Sequence, residues 1–223
     1  MPDSLAAQTW DAHYGAPSGF RYWPSEELVR SMARRRPTAA ILDVGCGNGS
    51  NLDLLYGYVS SLLVGIDASP IALAAARARY PDNGCGYDRL VIERAEIADG
   101  SLAFPVATFG GLVDCMTSQH VPLAAHEALY RDYARVLEPG GWFFLLHLDD
   151  ATRTARTPPM ATDCERVGLF PEAGFACLPH PLWLVCAVER AGFRIIERRG
   201  LAREYADGSI AHYTIIDAEV ACA

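Results

Sequence analysis

At 223 residues the chain is long enough for one well-filled core and short for two independent ones, and its 51% hydrophobic and 21% charged residues exclude a disordered protein. Its longest apolar stretches, such as 140–148, fall far below membrane-spanning length. With 19 basic against 27 acidic residues the net charge is −8, the wrong sign for a protein that holds nucleic acid by its phosphates, so neither a nucleic-acid nor a membrane partner is expected. The first residues show no basic region followed by an apolar block, and a cytoplasmic location is the expectation. Seven cysteines, with no CxxC pair among them, match neither a disulfide framework nor a zinc site and suit free thiols, so no metal is expected.

In chain order, two helical pieces come first, at 4–14 and 24–36. The second has Ser25 as its expected N-cap, acids in its first turn, and Leu28, Val29 and Met32 on one face. Between them "FRYWP" (20–24) has three aromatics and no helical period. Strands then alternate with helices. The apolar strand 39–44 is followed by helix 50–59, strand 61–67, and helix 69–80, which starts with Ser69 at the cap and Pro70 at the first position. A third strand lies in 88–97 and a fourth at 110–116. The three-and-four spacing of Leu123, Tyr130, Tyr133 and Leu137 predicts helix 123–137, stopped by Pro139-Gly140-Gly141 before a fifth strand at 142–148. This alternation indicates a parallel sheet covered on both faces. Residues 149–180 have no steady period and read as a lid or specificity segment. Helix 181–192 follows, then strands 193–200 and 210–220, joined around Asp207-Gly208 and expected to pair antiparallel.

The most informative stretch is "LDVGCGNGS" (42–50), in which Asp43, Gly45, Gly47 and Gly49 alternate with other residues at the end of the first strand. A glycine turn between strand and helix lets a ligand approach backbone N–H groups. It is not a nucleoside-triphosphate loop, because no lysine follows; nor is it the dinucleotide fingerprint, which requires glycine where Ser50 stands. Asp67 closes the second strand, where an acid can accept both hydroxyls of a ribose.

"ILDVGCGNG" together with "VGIDASPIALAAARARY" resembles the class I S-adenosylmethionine-dependent methyltransferases of small-molecule type, well over 38–148 and more loosely in the tail. The resemblance implies an α/β fold: a Rossmann-like three-layer αβα sandwich around a seven-stranded, mostly parallel sheet with an antiparallel last strand. It implies a domain at 38–223 that binds S-adenosyl-L-methionine and carries the insertion at about 149–180, preceded by an N-terminal helical lid at 1–37. The loop from Asp43 through Gly45, Cys46 and Gly47 would wrap the methionine end, Asp67 would hold the ribose and Ala68 would lie beside the adenine. Glu96 with Ile97 would follow the third strand near the adenine amino group, with Asp99 as a rival; Cys115 would close the fourth strand over the same cleft. Tyr14 and Trp23, with Phe20 and Tyr22, would screen the sulfonium from water, while Phe170, Phe175 and Trp183 would form a far wall. One departure is "FGG" (109–111), where many relatives read Phe-Asp; Asp114 follows within the strand.

The implied reaction is direct in-line transfer of a methyl group to an oxygen or nitrogen of a small molecule: a metabolite, sugar or natural-product intermediate. A hydroxyl acceptor benefits from a base, for which His120, His147 and His180 are the candidates. For His147 a satisfied core histidine, and for His180 a turn residue, stand as alternatives. Two other classes remain in view: a catalytically silent protein that binds S-adenosylmethionine or S-adenosylhomocysteine, and an NAD-dependent oxidoreductase, which the absent third fingerprint glycine disfavours. Self-association as a homodimer stays open.

Overall fold

The computed structural model describes the chain apart from residues 1–4, 17–20, 37–38, 81–86, 98–99, 154–159, 163–164, 171–173 and 222–223. Two helices, α1 (Leu5–Gly15) and α2 (Glu26–Arg35), precede an alternation of β1 (Ile41–Val44), α3 (Leu52–Tyr58), β2 (Leu63–Asp67), α4 (Pro70–Arg79), β3 (Leu90–Arg94), β4 (Phe109–Cys115), α5 (Leu123–Val136) and β5 (Leu137–Leu148). There follow β6 (Met160–Thr162), β7 (Glu165–Phe170), β8 (Gly174–Cys177), α6 (Pro181–Arg190), β9 (Phe193–Glu204) and β10 (Ile210–Val220). The main sheet has seven strands in the order β3-β2-β1-β4-β5-β10-β9. Its first five strands are mutually parallel, and β10 runs antiparallel to both β5 and β9. This is the expected Rossmann-like arrangement. Strands run outward from β1 to β2 and β3 on one side and from β4 onward on the other, and the carboxyl ends of strands at such a switch point are where open α/β sheets place their ligand crevice.

Each face of the sheet has its own core. On one side Leu42, Val44, Phe143 and Leu145 pack with Tyr130 and Tyr133 of α5 and with Leu184 and Val188 of α6. On the other, Ile41, Phe144 and Ile215 meet Leu28 and Met32 of α2, Leu55 of α3 and Leu73 of α4. Strands buried on both faces explain why "AILDV" and "WFFLLHL" read as continuous apolar runs without alternation. The start of α4 follows its sequence signal: the Ser69 hydroxyl accepts the Ala72 N–H at 3.1 Å, with Pro70 beginning the helix.

Three expectations are corrected. α2 is a layer of the sandwich rather than part of a lid, fixed by burial of Leu28, Ser31 and Met32, while Tyr14 of α1 lies against the glycine turn. Ser25 does not cap α2 through its side chain; its N–H instead donates to Asn51 Oδ1 at 3.1 Å, tying the helix start to the glycine loop. Residues 149–180 are not irregular but contain a separate antiparallel sheet, β6-β7-β8. Strands of three to six residues are too short to establish a period that sequence can show.

The attachment of α2 centres on buried Asp217 of β10. Trp142 donates its indole N–H to Asp217 Oδ1 at 3.0 Å, the Ser31 hydroxyl donates to the same oxygen, and Arg199 donates to Oδ2 at 3.3 Å. Arg199 also pairs with Glu27 of α2, and Arg34 of α2 with Glu197 of β9 at 2.7 Å. Asp217→Ala would leave an indole N–H, a hydroxyl and a largely buried guanidinium short of an acceptor. Denaturant unfolding should show a loss of about 2–4 kcal/mol.

Candidate active site

The chain leaves β1 through Gly45, Gly47 and Gly49 at φ of +68°, +56° and +80°, a left-handed region that side chains rarely tolerate. Space forbids side chains here too: a Cβ on Gly45 would overlap Thr117, and one on Gly47 would overlap the Tyr14 hydroxyl. The turn brings three carboxylates to the ends of adjacent strands. Asp67 accepts the Gly47 N–H at 2.9 Å on Oδ2 and the Ser69 N–H at 2.8 Å on Oδ1. Asp114 accepts from the Thr117 and Ser118 amides at 3.0 and 3.1 Å and from the Tyr133 hydroxyl at 3.1 Å. Asp43 is only 1% exposed, yet neither of its oxygens has a hydrogen-bond partner among the described residues. Burial first, then the nearby Asp67 and Asp114, push its carboxyl up to about 8.

Over this turn lies α1. Asp11 accepts from the Ser69 hydroxyl at 2.5 Å, fixing the helix against the start of α4. Trp10 meets the His120 ring edge-on at 4.6 Å, and the Tyr14 hydroxyl rests on Gly47. Burial, helped by Asp67, raises the Tyr14 phenol, which keeps its proton at neutral pH. Beside it, Asn48 donates to the Arg21 carbonyl at 2.8 Å and so anchors the segment before α2. The Arg21 guanidinium then reaches Met116 Sδ at 3.4 Å and Cys115 Sγ at 3.8 Å, at the end of β4. Sulfur is a weak acceptor, so these donors remain suited to an anion. Met116 itself has φ of +68°, a left-handed conformation uncommon for a residue with a side chain.

The structure thus gathers Tyr14, Asp43, Gly45, Gly47, Asp67, Cys115 and His120 around one crevice. Ala68 adjoins Asp67, and the Ala95 N–H donates to the Asp67 carbonyl at 3.1 Å, which sets half-buried Ile97 and exposed Glu96 just beyond. Asp99 and Phe20 lie outside the described residues, as do the side chains of Phe170 and Phe175. Four assignments change. Trp23 is 80% exposed and turns to solvent, as does Tyr22, because Arg21 is the residue of that segment anchored toward the cleft. The Cys46 thiol packs against β2 at Gly65 and its N–H is taken by the Ile66 carbonyl, so it belongs to the core. His180 is the N-cap of α6, its Nδ1 accepting the Leu182 N–H at 3.2 Å.

His147 is fully buried, and its Nε2 has no hydrogen-bond partner among the described residues. Its Nδ1 donates to the Leu148 carbonyl at 2.6 Å, and its ring stands 5.4 Å from that of buried His126. His126 Nε2 bonds the Ser118 and Val121 carbonyls at 2.7 and 3.0 Å, holding the short 3-10 turn Ser118–His120 in place. Burial, reinforced by His126, pushes His147 down to about 3, which makes it a poor base. Asp114 supports the same 3-10 turn from below, so the acid displaced from "FGG" is structural. Sequence reading passed over Arg21, Asn48 and Trp10; Arg21 sits in the aromatic segment where the rings drew attention.

The low His147 value has a measurable consequence. The unfolded chain binds a proton there below pH 6.5 and the folded one does not until about pH 3, so stability is lost as pH falls across that window. Relative to wild type, His147→Leu should have a shallower fall in unfolding free energy between pH 6.5 and 4, by about 1.4 kcal/mol per pH unit at the steepest. Equal slopes would place His147 in contact with solvent.

A family model described as a methyltransferase domain matches residues 41–141. A trans-aconitate 2-methyltransferase of Acidovorax ebreus is 33% identical over 134 residues, 59% of this chain and 47% of that protein. An uncharacterized methyltransferase of Synechocystis is 26% identical over 209 residues, 93% of this chain and 87% of that one. The chain spans between 31% and 47% of the length of the first curated relatives that it matches. Among solved structures, a SAM-dependent methyltransferase of Methanosarcina mazei superposes with a TM-score of 0.70 at 20% identity, covering 90% of this chain and 100% of that one. The chain has the class I S-adenosylmethionine-dependent methyltransferase fold, and residues 41–141 match its methyltransferase domain.

Proposed function

We propose that the chain binds S-adenosyl-L-methionine across the ends of β1 and β2 and transfers its methyl group to an oxygen or nitrogen of a small molecule. The observation that carries this reading is the conjunction of a partnerless buried carboxylate, Asp43, with a left-handed glycine turn and a second acid, Asp67, one strand over. A ligand that is both cationic and a nucleoside answers all three features. When bound, S-adenosylmethionine supplies an electrophilic methyl group on a sulfonium sulfur.

The chain's own residues have separable tasks in this reading. Gly45 and Gly47 keep side chains away from the methionine end, and each Asp67 oxygen keeps a lone pair beyond its amide bond for a ribose hydroxyl. Arg21 sits where a charge-assisted pair with the amino-acid carboxylate would form. Trp10 and Tyr14 exclude water, which favours direct attack on the methyl carbon. His120 is the remaining histidine at the mouth and serves as base or acceptor contact. A lid made of one short helix and a 3-10 turn suits a small acceptor, and a relative whose name specifies trans-aconitate is consistent with that scale. A second reading, cofactor binding without transfer, draws on His180 capping α6 and on the burial that pushes His147 down to about 3, which leave His120 as the better candidate base.

Calorimetry with S-adenosylhomocysteine and with NAD tests the cofactor: binding of the former alone is expected, and a preference for NAD would overturn the reading. Asp67→Ala should weaken S-adenosylhomocysteine binding by about 1.5–3 kcal/mol, the range for hydrogen bonds to a charged group. Undiminished affinity would take Asp67 out of the ribose site. Once an acceptor is known, normal turnover and pH profile in His120→Ala would exclude this histidine as the base.

A further inference from the structure

Asp43 is an anomaly among the three carboxylates at the strand ends. Asp67 and Asp114 each accept from backbone amides, and Asp114 also from Tyr133; burial pushes both carboxyls up, and these hydrogen bonds oppose it. Asp43 has no such donor among the described residues and is shut from solvent. A buried carboxylate without hydrogen bonds is costly, and the usual relief is to keep its proton. The groups that act on it electrostatically from the surrounding elements are Asp67 on β2 and Asp114 on β4, both disfavouring a further negative charge, with Arg21 opposing them from the segment before α2. Tyr14 on α1, Cys46 in the turn and Cys115 on β4 also lie within its field, and burial holds all three in their neutral, protonated forms at neutral pH.

We propose that Asp43 is the counter-charge to the cationic amino-acid end of the ligand and releases a proton to solvent when that ligand binds, so that protonation of Asp43 and occupancy of the cleft exclude each other. This rests on the S-adenosylmethionine reading of the site. The step is simple in balance: the carboxylic O–H bond breaks, the proton passes to the buffer, and the carboxylate left behind faces the ligand's ammonium. The free protein thus holds no naked charge, and the charge appears only with its partner. The raised value agrees, and it sets the working window on the neutral-to-alkaline side.

The experiment is titration calorimetry with S-adenosylhomocysteine, which carries the ammonium without the sulfonium, in buffers of different ionisation enthalpy. At pH 7 the dependence of the observed enthalpy on the buffer should report release of nearly one proton, falling well below half by pH 9. Asp43→Asn, nearly isosteric with the protonated acid, should fold and lose that release; the difference from wild type also removes any proton exchanged by the ligand's own amine. In the ligand-free protein the folded value lies above the unfolded one, so Asp43 makes stability fall as pH rises between about 4 and 8, and Asp43→Asn should lack that component. An infrared difference spectrum gives an independent readout: the band of a protonated carboxylic acid should disappear on binding. Binding without proton release, or release undiminished in Asp43→Asn, would overturn the proposal while leaving the cofactor site standing. No binding of S-adenosylhomocysteine at all would remove the site reading itself and this proposal with it.

Discussion

The turn after β1 must reverse direction between Val44 and Leu52 while keeping its backbone open, and that constraint organises the rest of the molecule. Left-handed backbone at Gly45, Gly47 and Gly49 satisfies it, a region that residues with side chains enter far less readily. The same turn leaves the space that Thr117 and Tyr14 enter from above, so the 3-10 turn and α1 converge on one point. It also gives Asp67 a backbone amide, the Gly47 N–H, and thereby couples the ends of β1 and β2. Asp43, at the root of the turn, receives nothing comparable.

Support for this point comes from two buried networks of different character. On the α2 face, Asp217 gathers Trp142, Ser31 and Arg199 and locks the helix whose leading segment presents Arg21. On the α5 face, His126 binds the carbonyls of Ser118 and Val121, while Asp114 binds the amides of Thr117 and Ser118. Both ends of the turn that holds His120 are therefore fixed from beneath.

Much of this was legible in the sequence because the underlying signals are local. Five parallel strands and their helices follow from apolar runs, a Ser-Pro helix start and the three-and-four spacing of α5; the antiparallel end follows from two close strands about Asp207-Gly208. Asp43, the glycines and Asp67 were legible because strand ends place them whatever the side chains do. Side-chain direction was not. Trp23 and Arg21 are two residues apart, and contacts from distant elements, such as Asn48 donating to the Arg21 carbonyl, settle which side chain turns to the cleft. His147 has the alternation of a pocket residue and of a core residue alike, and its partner His126 is distant in sequence. Among the described residues, the strands β6, β7 and β8 pair only with one another, and they are too short to announce themselves. Long-range contacts decide such cases, and a single chain read by period does not contain them.

The central claim is that the ends of β1 and β2 hold a nucleoside-bearing amino acid, and a crystal structure with S-adenosylhomocysteine tests it most directly. The account predicts ribose hydroxyls on the Asp67 carboxylate, the sulfur against the backbone of Gly45–Gly47, and the amino-acid end between Asp43 and Arg21. Ligand bound elsewhere, or a cleft that stays filled by Tyr14 at saturating ligand, would contradict it.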